Sequence, residues 1–378
     1  MFLIAAGVLV LVLLSGLIGY FYVQVSPMGT ETPEVARYDS AINTPYRTLT
    51  TQNSDFAEGD RLYRRGSYTE ARAAFERALG GATDLAQEAQ VRYKIALSAA
   101  AAGDYAGAIA MYKDIAANGA YNVYVRAYAV QSIASTYYQY GHANPEIVNE
   151  TFTGDPYASF AEDVDLTTYE GRDRAYRRVY EHALSIYPLA TSAARVAYWY
   201  ANEAILLHEE GDEEGVERYI GLVRARLAEV DADIERTRDD PNARVSIPGA
   251  IMRKGMTLAT LAQLGEATLE DAEVLFKQAM DLHAINDPRP GLDGFERFLY
   301  AASLERYFGE DRHADIISLL APFYTSDAYA RESITPFLRA QRNADTWMHD
   351  SLANMSAIDP AFKTYLASLG WEDSDFDR

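Results

Sequence analysis

Small and apolar positions recur along this chain at one fixed spacing. Gly59, Tyr63, Gly66, Tyr68, Ala71, Phe75 and Ala78 are separated by 4, 3, 2, 3, 4 and 3 positions. Ala96, Ala100, Gly103, Tyr105, Ala108, Tyr112 and Ile115 repeat that spacing 37 residues later. On either side of the central glycine the apolar positions fall three and four apart, which is the period of one helix face. The pattern predicts two amphipathic helices joined by a tight turn, with small residues where they cross and an aromatic wedge against the next pair. Such a pair cannot bury its apolar face alone, so the units are expected to stack.

Four weaker copies follow. Ala134, Tyr138 and Gly141 open a third unit on a helix over about 122–140, and its partner resumes around Tyr176, Tyr180 and Ala183. Between them, 142–168 carries Pro145, Gly154, Pro156 and the acidic run Glu162-Asp163-Val164-Asp165, and reads as an insertion. Ala204, His208, Gly211, Val216, Ile220 and Val223 form the fourth unit. The fifth is Leu258, Ala262, Gly265, Ala272, Phe276 and Ala279, with two extra residues in its turn; Ala302, Arg306, Gly309, Ala314 and Ala321 form the sixth. Prolines at 241, 248, 288, 290 and 322 fall between elements, where a missing amide donor ends a helix without damaging it. The expected class is all-α: repeats over 53–325, a helical cap over 326–371 that closes the last apolar face, and an acidic tail over 372–378.

The first 24 residues differ in kind. Phe2 to Val23 contains no charge, and 22 residues cover roughly 33 Å as a helix, enough for a hydrocarbon core of about 30 Å. A cleaved signal peptide is the rival reading, but the basic leader is missing and Val23-Gln24-Val25-Ser26-Pro27 lacks a small-x-small cleavage site. The expectation is a single transmembrane anchor over 1–24 lodged in the lipid bilayer. Positive charges are balanced on its two sides, so orientation rests on the tendency of long downstream domains to be translocated, which places the helical domain outside the cytoplasm. Residues 25–52, with Pro27, Gly29, Pro33 and Pro45 among many Thr and Ser, read as a flexible linker.

Composition narrows the partners. A formal charge of −21 opposes binding to phosphate backbones, so nucleic acid is not an expected partner. With no cysteine, thiolate metal sites and disulfides are excluded, and the six histidines include no i, i+4 pair. There is no P-loop, no GxGxxG after a strand and no GxSxG elbow, so no cofactor and no catalytic activity are expected.

The spacing resembles the tetratricopeptide repeat, whose signature of a small residue, an aromatic, Gly, Tyr, Ala, an aromatic and Ala is carried nearly whole by Gly59 to Ala78. The resemblance covers roughly 53–325, with the insertion and the widened turn after Gly265 as departures. It implies a right-handed α-solenoid whose first helices line a concave groove for a protein or peptide partner. The groove positions it implies include Asp60, Tyr63 and Arg64, then Tyr93, then Tyr128, Gln131, Tyr138 and Gln139, and finally Tyr198 and His208. Tyrosine offers broad contact with a polar tip, which suits peptide recognition; the competing reading is that these rings pack between repeats. In one subclass the groove grips a C-terminal carboxylate, and Asp60 at such a position would repel one, so a neutral or basic ligand segment is expected. The resulting expectation is a membrane-anchored scaffold. Its alternative is a structural subunit of a larger envelope complex that docks through its convex face or the 142–168 insertion.

Overall fold

The computed structural model describes residues 38–141, 144–238, 246–286, 291, 293–330, 334–342 and 347–376. The expected span over 1–24 lies outside them. Among the described residues every regular element is helical, and no helix is long and apolar enough to cross a membrane.

The first hairpin shows how the repeat spacing becomes geometry. Asn53 caps the helix Ser54–Arg64 by accepting the Phe56 amide at 3.0 Å. Gly66 then takes φ +79°, a conformation that a side chain resists, and the chain reverses into Tyr68–Ala78. Where the two helices cross, a Cβ on Gly59 would stand 2.7 Å from the Phe75 ring, so glycine is what permits the close approach. The second hairpin repeats the device with Asp84 as cap, Gly103 at φ +92°, and the helices Leu85–Ala101 and Tyr105–Ala117. Gly211, Gly265 and Gly309 turn the later hairpins in the same way. Gly141 stays at φ −69° because the chain leaves there into the insertion instead of reversing.

A segment before the repeats supplies the first helix, so the numbering is α1 (Thr44–Gln52), α2 (Ser54–Arg64), α3 (Tyr68–Ala78), α4 (Leu85–Ala101), α5 (Tyr105–Ala117) and α6 (Val123–Tyr140). The insertion contributes α7 (Pro145–Thr151) and a short turn, Tyr157–Phe160. Lys113 of α5 fastens it by donating to the carbonyls of Glu150 and, at 2.8 Å, Thr153, with its ammonium over the Tyr157 ring. Then come α8 (Tyr169–Ile186), α9 (Ala190–Glu210), α10 (Glu213–Thr237), α11 (Ile247–Ala262), α12 (Leu269–Asn286), α13 (Gly294–Tyr307) and α14 (His313–Thr325). The helices pack as neighbouring pairs: α2 with α3, α4 with α5, α6 with α8, α9 with α10, α11 with α12 and α13 with α14. Successive pairs touch through α3 and α4, α5 and α6, α9 and α11, and α11 and α13. The repeat aromatics Phe75, Tyr112, Tyr176 and Phe276 are all fully buried in these contacts.

Two expectations about the ends are corrected. Residues 38–52, assigned to the flexible linker, are structured: a π-helical turn, Asp39–Asn43, runs into α1, and Tyr38, Ile42, Tyr46 and Leu49 are buried. Pro45, one of the residues behind the linker expectation, sits in the first turn of α1, where a missing N–H is harmless. Ile42, Tyr46 and Leu49 then fall four and three apart on one face. This segment lies against α2, α4 and the start of α6, on helices expected to line an open groove.

The C-terminal residues form α15 (Asp327–Ala330), α16 (Ile334–Gln341), α17 (Trp347–Ile358), α18 (Pro360–Ser368) and α19 (Asp373–Phe376). As a cap, α18 covers α14 and buries Phe362 and Leu366. However, α17 packs on α13 and reaches much earlier helices, since Trp347 lies against Tyr198 and Met348 against Tyr138. The acidic tail is also partly folded, for Asp375 is buried and pairs with Arg342 at 2.8 Å.

Candidate functional site

The inner helices and the C-terminal helices line a half-open chamber of about 480 Å³. Its walls come from α6 (Gln131, Ser135, Tyr138), α8 (Asp173, Arg177, Tyr180), α9, α11 and α13, and α16 and α17 complete them with Phe337, Trp347 and Met348. The volume falls in the range of small-molecule sites, about 300–1,000 Å³.

The chamber wall carries charge. Four arginines line it, Arg177, Arg195, Arg253 and Arg306, against two carboxylates, Asp173 and Glu296. Arg177 is neutralised locally by Asp173 at 3.0 Å and Glu203 at 3.4 Å. Arg195 is held between three rings, its guanidinium carbon 5.4 Å from the centroid of Tyr138, 5.6 Å from Tyr176 and 5.3 Å from Tyr180. Arg253 donates to the Gly249 carbonyl at 3.2 Å. Burial, and next the charge of Arg195, lower the Arg253 pKa to about 10, so it stays protonated at neutral pH. Glu296 faces His283 at 3.6 Å, and burial raises its pKa above the usual carboxylate value. Burial likewise raises Asp173 despite Arg177 beside it.

Apolar and aromatic groups are interleaved with these charges: Tyr198, Trp199, Met256, Phe295, Phe337 and Trp347, with Arg177 over the Trp199 ring and Arg306 over the Trp347 ring. The Tyr198 hydroxyl is buried near Tyr307 and Asn202, and Tyr138 donates to Met348 Sδ at 3.6 Å.

Of the expected groove residues, the chamber gathers Gln131, Tyr138 and Tyr198. Gln131 Oε1 accepts from the hydroxyls of Thr191 and, at 2.8 Å, Ser192, so it also ties α6 to α9. The other groove positions lie elsewhere. Asp60 accepts from the Tyr46 hydroxyl at 3.0 Å and from Arg64 at 2.7 Å, and Lys94 stands 3.5 Å away. It is therefore neutralised within the fold, and its predicted repulsion of an anionic ligand loses its basis. Tyr63 leans on Tyr68, with Lys94 over its ring. Tyr93 packs between Tyr112 and Tyr128 and bonds Ser132 at 3.0 Å, while the Tyr128 hydroxyl meets that of Tyr38 at 3.2 Å. These rings serve packing against α1 and between repeats. His208 is exposed at the end of α9, 3.6 Å from Glu213 and away from the chamber, and the Gln139 side chain lies outside the described residues.

The expected groove positions omitted the arginines, which are the chamber's most distinctive groups. Arg253 carried a readable signal, an ionisable residue in the otherwise apolar run Ile247-Pro-Gly-Ala-Ile-Met-Arg. Arg195 lies one turn before Tyr198 on the same helix face. No family model matches this chain. No curated protein matches it, and no solved structure does either.

Proposed function

We propose that this protein is a membrane-anchored helical-repeat scaffold of the tetratricopeptide kind, and that it seats its partner in the inner chamber instead of along an open groove. The supporting observation is that segments from before and after the repeats partly cover the inner face. The α1 segment occupies Asp60 and Tyr128, and α17 reaches Tyr138 and Tyr198. What stays open to a ligand is a lined cavity of about 480 Å³. That volume suits a compact ligand or one inserted end of a protein partner better than an extended peptide. The reading is one of binding, because guanidinium groups hold charge without exchanging protons at neutral pH. The stack is taken as right-handed and the domain as extracytoplasmic, held to the bilayer by residues 1–24.

Filling the chamber tests this. Ser135→Phe projects a ring into it, so in-cell crosslinking with mass spectrometry should lose the partner recovered with the wild-type chain, at equal abundance and helicity. Equal recovery from the filled variant would contradict the chamber as the seat.

The second reading, a structural subunit docking through the insertion, is favoured by one observation. The insertion is a built surface, clamped by Lys113 and by the Arg178–Asp163 pair. Deleting 145–165 should then dissociate a complex that Ser135→Phe leaves intact.

A further inference from the structure

We propose that the chamber binds a small organic acid, with its carboxylate bridging Arg195 and Arg253 and its apolar body against Trp199, Phe295 and Trp347. This rests on the chamber being the binding seat and adds the chemistry of its occupant.

Two features of the arginines carry it. First, among the described residues neither is in an ion pair, although Asp173 attracts Arg195 and Glu296 attracts Arg253 from farther off. The protein has 55 acidic residues against 34 basic ones, and most described arginines are paired with a carboxylate. Among the described residues Arg195 has neither an ion pair nor a hydrogen bond, only its three tyrosine rings. Arg253 has a single carbonyl acceptor. Ring contacts satisfy the face of a guanidinium, whereas its N–H groups need acceptors in its plane. Both are half-buried in the chamber wall, and a cation there with in-plane donors to spare is a ready partner for negative charge.

Second, the two cations act on each other, since the charge of Arg195 is one cause of the lowered Arg253 pKa. An anion placed between them converts a repulsion into two charge-assisted contacts. The carboxylates already present act on them without forming an ion pair: Asp173 attracts Arg195 but is paired with Arg177, and Glu296 attracts Arg253 while facing His283.

The remaining wall decides the body of the ligand. Trp199, Met256, Phe295, Phe337 and Trp347 offer an apolar, aromatic surface beside the charge, which a bare inorganic ion would leave uncovered. The ligand class is therefore an amphiphilic carboxylate, and not phosphate or a polyanion.

The test uses the full chain in detergent micelles and isothermal titration with phenylacetate, its neutral isostere phenylacetamide, and inorganic phosphate at constant ionic strength. Emission gives a second readout, because two of the three tryptophans line the chamber. Phenylacetate should bind with an emission change, and phenylacetamide should bind about tenfold or more weakly. Arg195→Gln and Arg253→Gln should each weaken phenylacetate by a similar factor. Arg253→Lys, which keeps the charge, should weaken it less and keeps the test valid if a glutamine variant fails to fold.

Binding of the amide as tightly as the acid overturns the proposal, as do glutamine variants that bind like the wild type. Phosphate binding as tightly as phenylacetate would mean an adventitious ion only. Failure of phenylacetate, hexanoate and glutarate to bind at millimolar concentrations also rejects it, and clear preference for the tripeptide Gly-Gly-Phe would assign the site to a polypeptide C-terminus. If acid and amide bind equally and Ser135→Phe abolishes both, only the charge assignment falls. If Ser135→Phe leaves binding intact, the chamber reading falls with it.

Discussion

Tyr138 and Met348 meet across 210 positions of sequence, the tyrosine hydroxyl donating to the thioether sulfur at 3.6 Å. One stands on the first helix of the third repeat and the other on the C-terminal helix α17. Their contact brings α17 over the inner helices, so a C-terminal helix is part of the chamber wall.

Removing that contact should weaken the fold and open the chamber further. Met348 is 7% exposed, and Met348→Ala should cost about 2–4 kcal/mol in urea unfolding. Acrylamide quenching of Trp199, measured in a Trp347→Phe and Trp371→Phe background, should rise in the same variant. Unchanged quenching would place Met348 outside the wall.

Asp60 should act as an acid-sensitive fastening for α1. Burial raises its pKa, but Lys94, Arg64 and the Tyr46 hydroxyl lower it more, so the net value lies below the ordinary one. Its contribution is then fully present above the unfolded carboxylate pKa and is lost as pH falls through the lower folded value. Asp60→Asn should destabilise the chain by about 2–3 kcal/mol at pH 7 and by less in acid. A loss independent of pH would contradict the charged pairing.

A second acid response belongs to the junction of the fifth and sixth repeats. Arg312 first and Lys277 next hold Glu273 down to about 2. Stability linked to this carboxylate is complete above about pH 4.5 and disappears as pH falls toward 2. Glu273→Gln should flatten that part of the pH profile while leaving neutral-pH helicity unchanged, as read by circular dichroism melts. A profile identical to wild type would remove the linkage.

Two glycines of one hairpin should fail for different reasons. Gly59→Val places carbon against the Phe75 ring, where a Cβ already stands at 2.7 Å, and should cost about 1–3 kcal/mol by overpacking. Gly66→Ala meets no atom within 4 Å, so its cost is the backbone strain of φ +79°, about 1–2 kcal/mol. Enlarging residue 59 further should deepen the loss, whereas enlarging residue 66 beyond alanine should add little. Chemical denaturation of Ala and Leu variants at each position separates the two, since leucine is unbranched at Cβ and adds little to the strain at φ +79°.

The helical hairpins were legible because their signals are local: a turn glycine, a cap and a helix-period face lie within one unit. The insertion was legible for the converse reason, since Pro145, Gly154 and Pro156 interrupt that period. Residues 38–52 were misread because Pro27, Gly29, Pro33 and Pro45 were weighed together, although Pro45 by itself starts a helix. The chamber was only partly readable. Tyr138 and Tyr198 follow from their repeat positions, but Trp347 and Met348 arrive by a contact that no local pattern encodes. Arg195 and Arg253 share the helix faces of repeat residues, and their meaning depends on which acids fail to reach them.

Coverage of the inner face by the C-terminal helix is the claim on which the rest depends, and the absence of native cysteine makes it directly measurable. The Tyr138→Cys and Met348→Cys pair, treated with a flexible bismaleimide long enough to span the removed tyrosine ring and methionine arm, should give an intramolecular bridge read by intact mass. Neither single variant should give that mass. If the double variant yields only singly attached adducts while remaining folded, α17 does not lie over the third repeat and the chamber does not exist as described.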